Sequence, residues 1–298
     1  MLTNFYLILI VTILIAIFGV CHYSLMDSLL SLYSDSEKIN YSSIRIYGSI
    51  AYIIAMLCGG LVAKYLGFNI AFSISCVMFI GAGIDYFLLQ DIIIEEENYL
   101  PNEKINYKVL FKNKTFIIFL IFFCLVMGVN KTTDDFFALY LESRGVSYSQ
   151  YGFIFAYIVL IEVISLFILN KNAKKFNNNI LLLISSICLS LRLIVNFLDL
   201  PIIVVAITSG LRGIGYGIML HISFVYIVKI VGRRYATSAT MLLYLVVFIY
   251  TAAFDEINGL LIEYSGYKTF YLVNICISFI AIFIATIRLS KIRKRVLE

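Results

Sequence analysis

Charged side chains are scarce in this sequence. Asp, Glu, Lys and Arg together make 14% of its 298 residues, where ordinary soluble domains carry about a quarter. Hydrophobic residues make 62%, and the mean hydropathy is +0.97. So little charge excludes a chain of one or two soluble domains. Alternating ten-residue segments, the mark of a membrane β-barrel, are missing as well. What is present instead is a series of apolar runs of about 20 residues, long enough to cross a hydrocarbon core as helices. Lipid offers backbone groups no partner, and a helix satisfies its own. The expected class is an all-α, multi-pass membrane protein.

Motifs for chemistry are missing too. There is no GxxxxGK[ST] phosphate loop to indicate an ATP-driven pump, and neither HExxH nor GxSxG occurs. The cysteines, Cys21, Cys58, Cys76, Cys124, Cys188 and Cys276, fall in apolar runs without CxxC or Cys/His spacing. No zinc site, other metal, structural disulfide or cofactor is therefore expected. The run Gly210–Gly217 holds a GxG, but no strand precedes it and no acid follows about 20 residues on, as a dinucleotide loop requires. Gly213 and Gly217, four apart, fit close helix packing instead, and Gly48, Gly59 and Gly60 read the same way. The formal charge of +5 is not patterned for nucleic acid, because Lys and Arg sit in short clusters between apolar spans. Met1-Leu2-Thr3-Asn4 lacks the basic start of a cleavable signal, and the apolar run continues to Tyr23. The first span is expected to be a retained helix.

Nine spans are expected, near 5–32, 45–66, 69–89, 116–141, 149–169, 180–198, 202–228, 237–262 and 269–288. The one long interruption, 90–113, is acidic, then basic, and holds Pro101. It divides a three-span segment, 1–89, from a six-span segment, 116–298, with 90–115 as linker. Lys and Arg number 17 in the connections on the linker's side and 3 in the alternate ones; Lys131, Arg192 and Arg212 lie within spans. The positive-inside rule then puts the linker and the basic tail from Ser290 in the cytoplasm, and the N-terminus outside the cell membrane. Secondary transporters are commonly two six-helix halves made of inverted triplets. Three plus six is expected to be such a protein without its opening triplet.

The chain is organised around 113–142. Phe116–Val129 is apolar apart from Gly128, then Asn130-Lys131-Thr132-Thr133-Asp134-Asp135 intervenes, and Phe136–Leu141 is mostly apolar again. A helix from Phe116 to Leu141 is about 39 Å long, with Lys131 about 22 Å along it. Unpaired charge there costs several kcal/mol, so Lys131, Asp134 and Asp135 must face protein or water. Lys131 reaches both acids, three and four residues on. Two readings stand: a self-neutralised group that holds a bundle together, or the lining of a polar pathway. Glu162 and Arg192 each stand alone in their spans, while Arg212 and His221 share the seventh. Such intramembrane charges are functional candidates by default. Glu162 and Arg192 are expected to meet Lys131, Asp134 and Asp135 across one cavity, with a fixed ion pair as the structural alternative. A carboxylate that separates from its cation can take up and release a proton, the physical basis of coupling to a proton gradient. His221, of a type that titrates near pH 6.5, suits proton handling, although a lone histidine also serves packing. Asp27, Asp85, Asp255 and Glu256 lie nearer the span ends.

Tyr41-Ser-Ser-Ile-Arg45-Ile-Tyr47-Gly48-Ser49-Ile50, followed by Gly59-Gly60 and Gly67, resembles the major facilitator superfamily. The branch it is similar to holds lactose permease, nucleoside–proton symporters and phenylpropionate permease-like proteins, where an Arg-x-Tyr/Trp-Gly-Ser segment opens the fifth helix. Phe137–Leu141 with Gly145, Glu162, Leu191-Arg192, Gly213–Gly217, Gly259 and Gly266 agree in order. The resemblance implies helices four to twelve of a twelve-helix fold. It implies that Glu162 and Arg192 serve substrate binding and proton coupling, with Asp134 and Asp135 on the seventh helix and His221 on the tenth. No acid follows His221 three residues on, and Asn170–Lys175 keeps the lysines of the branch's basic loop without its usual Gly and Asp. The implied function is proton-coupled symport of a small organic solute, such as a sugar, a nucleoside or an aromatic acid. The alternatives are a non-transporting membrane module with the same fold and an intramembrane enzyme using His221 and an acid.

Overall fold

The computed structural model describes residues 41–88, 108–171 and 177–297, with scattered positions before 41. The first expected span, near 5–32, and most of the linker therefore lie largely outside the described residues. Among the described residues every regular element is a helix. They run α1 Tyr41–Tyr65, α2 Phe68–Leu88, α3 Lys108–Lys112, α4 Lys114–Asp135, α5 Phe137–Ser143, α6 Tyr148–Lys171, α7 Asn178–Phe197, α8 Ile202–Thr208, α9 Gly210–Val231 and α10 Arg233–Leu297.

Seven candidate spans among these residues are long and apolar enough to cross a bilayer. The last, Ser238–Ile284, is 47 residues long, far more than the roughly 20 that one crossing needs. Gly266 resolves the excess. Its φ of 75° belongs to the left-handed region that glycine enters without a Cβ penalty, and α10 folds back there into two arms. Asn274 Nδ2 on the second arm donates to Asn258 Oδ1 on the first at 3.1 Å. In a straight helix 16 residues would part them by about 24 Å.

Two of the expected spans are broken within. Phe136 (φ −91°, ψ −5°) separates α4 from α5, and its N–H reaches Thr132 O only at 3.3 Å. Ser209 likewise stands between α8 and α9, within the 30-residue candidate span Ile202–Val231. Side chains fix several ends. Asn113 caps α4, its Oδ1 accepting from the N–H of Thr115 and Phe116 at 3.0 and 3.2 Å, and its Nδ2 donates to Ile230 O at the end of α9. A cap of this kind satisfies N–H groups that have no partner inside the helix.

The packed body lies in 108–284. One apolar cluster gathers Phe116, Phe119, Phe123, Leu182, Ile222 and Leu243 at the end of the bundle where α3 sits. A second gathers Phe137, Leu141, Ile158, Val205, Phe270 and Tyr271 toward the short connections 144–147 and 198–201. The order of packing is α4 on α10, α7 on both α9 and α10, and α9 on α6. α1 lies along α6, and α2 packs against α1. Phe72, Val77, Met78, Phe79 and Ile80 of α2 are exposed. A row of large apolar side chains turned outward fits a surface whose solvent is lipid rather than water.

Glycines allow the closest approaches. A Cβ at Gly213 would lie 2.3 Å from Ile158 O, and one at Gly217 3.1 Å from Glu162 O, so α9 meets the backbone of α6 directly. Gly60 of α1 stands against Tyr148 O and Gly152 of α6, and a Cβ at Gly152 would lie 2.9 Å from Met56 O. Gly48 and Gly59 differ: no described atom lies within 4 Å of where their Cβ would be. They sit on parts of α1 turned away from α6, so close packing does not demand glycine at either position among the described residues.

Candidate functional site

Four charges from four helices meet inside the bundle. Asp134 is in the last turn of α4, Glu162 fourteen residues into α6, Arg192 near the end of α7, and Arg212 is the third residue of α9. Arg192 Nη1 donates to Asp134 Oδ1 at 2.5 Å, and Arg212 Nε donates to Asp134 Oδ2 at 3.0 Å. Arg212 Nη1 donates to Glu162 Oε2 at 3.1 Å. Asp134 is thus bridged by two guanidiniums, and Arg212 by two carboxylates. All four are buried: Arg192 is 1% exposed, Glu162 4% and Arg212 8%, and the Asp134 side chain is 9% exposed. Two positive and two negative charges sum to zero, the condition under which buried ions are tolerated.

Neutral groups complete the setting. Asn130 Nδ2, one turn before Asp134, donates to its Oδ2 at 3.4 Å. Ser49 Oγ of α1 donates to Glu162 Oε1 at 3.4 Å, across 113 residues of sequence. That bond joins α1, before the linker, to α6, after it. Both guanidiniums lie on aromatic faces, Arg192 4.5 Å from the Phe137 centroid, Arg212 4.3 Å from Tyr216 and 5.5 Å from Phe155. A planar, weakly hydrated guanidinium accepts such stacking in place of water. Tyr52 of α1 and Tyr151 of α6 flank Phe155, with centroids 6.1 and 5.6 Å away. Tyr151 is within electrostatic reach of Asp134 and both arginines. Arg192 Nε and Nη2, by contrast, are buried with no hydrogen-bond partner among the described residues.

Beside the network lies a small cavity with about 10 Å³ of room for a water centre, lined on its polar side by Asn130, Thr133, Ser186, Ser190 and Ser278. It holds about one water. The four hydroxyls donate to carbonyls of their own helices, so what they turn elsewhere is acceptor capacity.

A family model described as the MFS_1 like family matches residues 1–273. The chain belongs to this family. The match agrees with the resemblance carried by Tyr41–Ile50, Glu162, Arg192 and Gly213–Gly217. Over 224 residues the chain is 27% identical to a protein of Bacillus subtilis (strain 168) named "Uncharacterized transporter YwbF", covering 73% of this chain and 54% of that one. Over 165 residues it is 24% identical to the "Probable 3-phenylpropionic acid transporter" of Escherichia coli (strain K12), covering 55% of this chain and 43% of that one. The chain spans about half the length of the curated relatives it matches.

In this MFS_1-like chain the expected site residues part into two groups. Glu162, Arg192, Arg212 and Asp134 form the network, with Glu162 bonded to Arg212 and Arg192 to Asp134. Lys131 bonds instead to Asp135, four residues on, on another side of α4, with side chains 48% and 39% exposed. Successive helix positions differ by about 100°, so two adjacent acids cannot share one face. His221 is partly buried nine residues beyond Arg212 on α9. Among the described residues no group of three or more His, Cys, Asp or Glu could hold a metal ion. Ser49, Asn130, Phe155 and Tyr216 escaped the sequence reading. Ser49 lies in the segment that carries the family resemblance, and Asn130 interrupts an apolar run. Phe155 and Tyr216 look like any other membrane aromatics.

Proposed function

We propose that this chain provides the substrate and coupling site of a secondary active transporter, a proton-coupled symporter of a small organic solute in the cell membrane. The observation that carries this reading is the bridged set Arg192–Asp134–Arg212–Glu162, tied through Ser49 to α1 of the other segment. A purely structural ion pair needs two groups. Here four are linked in series within 116–298, and Ser49 extends the series to α1, across the boundary where rocking of one segment against the other alters a partner of Glu162. A carboxylate that loses its guanidinium in a buried place gains a proton, and one that regains it gives the proton up. Of the solutes considered, an aromatic acid suits the surroundings better than a sugar or nucleoside. Arg212 offers the cation, and Tyr52, Tyr151, Phe155 and Tyr216 offer ring faces. The name of the Escherichia coli relative points the same way.

The test uses the chain in proteoliposomes, with labelled 3-phenylpropionate, uridine and lactose as probes. One of them is expected to accumulate under an imposed proton gradient. Glu162→Gln abolishes that accumulation and leaves counterflow exchange in place. Gradient-driven uptake that is unchanged in Glu162→Gln would remove the proton-coupling role. Absence of exchange with every probe would favour a membrane module that keeps the fold without transport.

A further inference from the structure

A second group of charges lies on the side of α4 that faces α10, away from the network. The two helices run side by side in register. Cys124 Sγ lies 3.5 Å from Val246 O, a Cβ at Gly128 would meet the Tyr250 ring, and Gly259 stands beside Phe136. In steps of four along α4, Thr132 is the next position in that row, and it faces the carboxyl of Asp255. Thr132 is 0% exposed. Neither its Oγ1 nor Asp255 Oδ1 has a hydrogen-bond partner among the described residues. Tyr250 Oη, also buried, has none either, and it is within electrostatic reach of Asp255. Two buried hydroxyls and one carboxylate oxygen are thus unpaired in one stretch of the interface, where each is costly to leave so.

The charges there do not balance. Lys131 donates to both oxygens of Asp135, and Asp255 is within electrostatic reach of both residues. One ammonium therefore serves two carboxylates. Glu256, the next residue, is exposed and lies about 100° further round α10. Both helices belong to candidate spans, and an unbalanced carboxylate at membrane depth is expensive. α4 also ends here, at Asp135 before the break at Phe136. The carbonyls of a last turn lack partners within their helix and carry the negative end of its dipole. In secondary transporters, such ends of interrupted helices attract cations.

We propose that the place where α4 breaks beside α10, bounded by Thr132, Asp135 and Asp255, binds one monovalent metal cation. The ligands it offers are all oxygen: the Asp255 carboxylate, the Thr132 hydroxyl and, shared with Lys131, the Asp135 carboxylate. Among the described residues no group of three or more His, Cys, Asp or Glu could hold a metal ion, so a tightly held divalent metal has no claim. A single negative excess asks for a single positive charge. The Asp135 side chain is 39% exposed, which leaves an ion a way in. The site is separate from the Arg192–Asp134–Arg212–Glu162 network and stands whether or not the chain transports.

Binding in detergent tests this. The Tm of the purified chain is measured in NaCl, KCl or choline chloride at equal ionic strength, and radiolabelled Na+ and K+ are titrated onto the immobilised chain. At least one of the two ions is expected to bind saturably, one per chain, and to raise the Tm above its value in choline. Asp255→Asn keeps the size and removes the charge, and should abolish both the binding and the salt-specific rise. Thr132→Val keeps the shape without the hydroxyl, and should weaken binding about tenfold, as loss of one oxygen partner of a charge does. Glu256→Gln should bind as the wild type does. An Asp255 with a purely structural role would shift the Tm equally in every salt, so the salt-specific part decides. The proposal is overturned if neither ion binds or stabilises beyond choline, the result expected where Asp255 simply carries a proton. It is overturned equally if Asp255→Asn still binds the ion, or if Glu256→Gln loses it as fully.

Discussion

Asp134 has a guanidinium on each oxygen, so deleting it strands two cations at once. Breaking a buried pair by removing one partner costs about 3–5 kcal/mol, because the remaining charge stays without compensation. Arg192 suffers most, since Asp134 is its hydrogen-bonded partner among the described residues. Asp134→Ala is therefore expected to lower the Tm in detergent far more than Lys131→Ala. Lys131 and Asp135 form an i,i+4 pair about half exposed, of a kind worth about 1 kcal/mol or less. Equal shifts in the two variants would deny the network its structural weight. The identities of the buried charges were legible in the sequence because lipid makes charge expensive wherever it occurs: Glu162, Arg192, Arg212 and Asp134 stand out in apolar runs. Their pairing was not legible. Which of Asp134 and Asp135 turns inward depends on how α4 is rotated against α7 and α9, and that is set by packing far away in sequence. Ser49 was hidden for a different reason, since a serine in a membrane helix usually bonds its own backbone, as Ser165 and Ser223 do here.

α1 and α6 lie together from Ser49 and Glu162 to Gly60 and Tyr148, and the contact tightens at the glycine end. There Gly152 has Met56 O so near that a side chain would displace backbone, which does not yield as the tip of a flexible side chain would. Gly152→Leu is expected to part the two helices. In a cysteine-free background, a pair Tyr52→Cys and Phe155→Cys, whose parent rings lie 6.1 Å apart, should cross-link readily. Adding Gly152→Leu should reduce that yield severalfold, while Gly59→Leu, which meets no described atom within 4 Å, should leave it unchanged. Undiminished cross-linking with Gly152→Leu would mean that the glycine contact does not hold the segments together. The glycines at spacing four on α9 were readable as a packing face, and Gly213 and Gly217 occupy one. Gly152 was not, because a single glycine acquires meaning only from the helix opposite. The interruptions at Phe136 and Ser209 were not read as breaks: the first follows the polar stretch Asn130–Asp135 and the second abuts Gly210, but neither position carries the Pro that would mark a break outright.

At the scale of the whole chain the distribution of Lys and Arg makes a claim that helices and contacts alone do not. Arg144 and Lys64 stand in connections on one side, and Lys108, Lys112, Lys171, Lys229 and the tail Lys291–Arg295 on the other. A polarity of this kind sets orientation during insertion, and the fold obeys its geometry. The Arg144 side chain binds Asp199, Leu200 O and Tyr140 Oη, so the connections 144–147 and 198–201 lie at one end of the bundle, as alternate loops of an even series must. At the opposite end Asn113 bonds Ile230 O, joining two positions flanked by basic residues. The basic end is expected in the cytoplasm. A single cysteine placed at Ser147 in a cysteine-free chain should react with a membrane-impermeant maleimide in intact cells, whereas one at Asn113 should react only after permeabilisation. Labelling in the reverse order would invert the chain. It would leave the ion-pair network intact, but it would reverse the side from which the proposed proton and solute enter. The asymmetry of charge in the loops and the balance of charge in the core are thus separate constraints on one molecule: the first decides which way it faces, the second what it can bind.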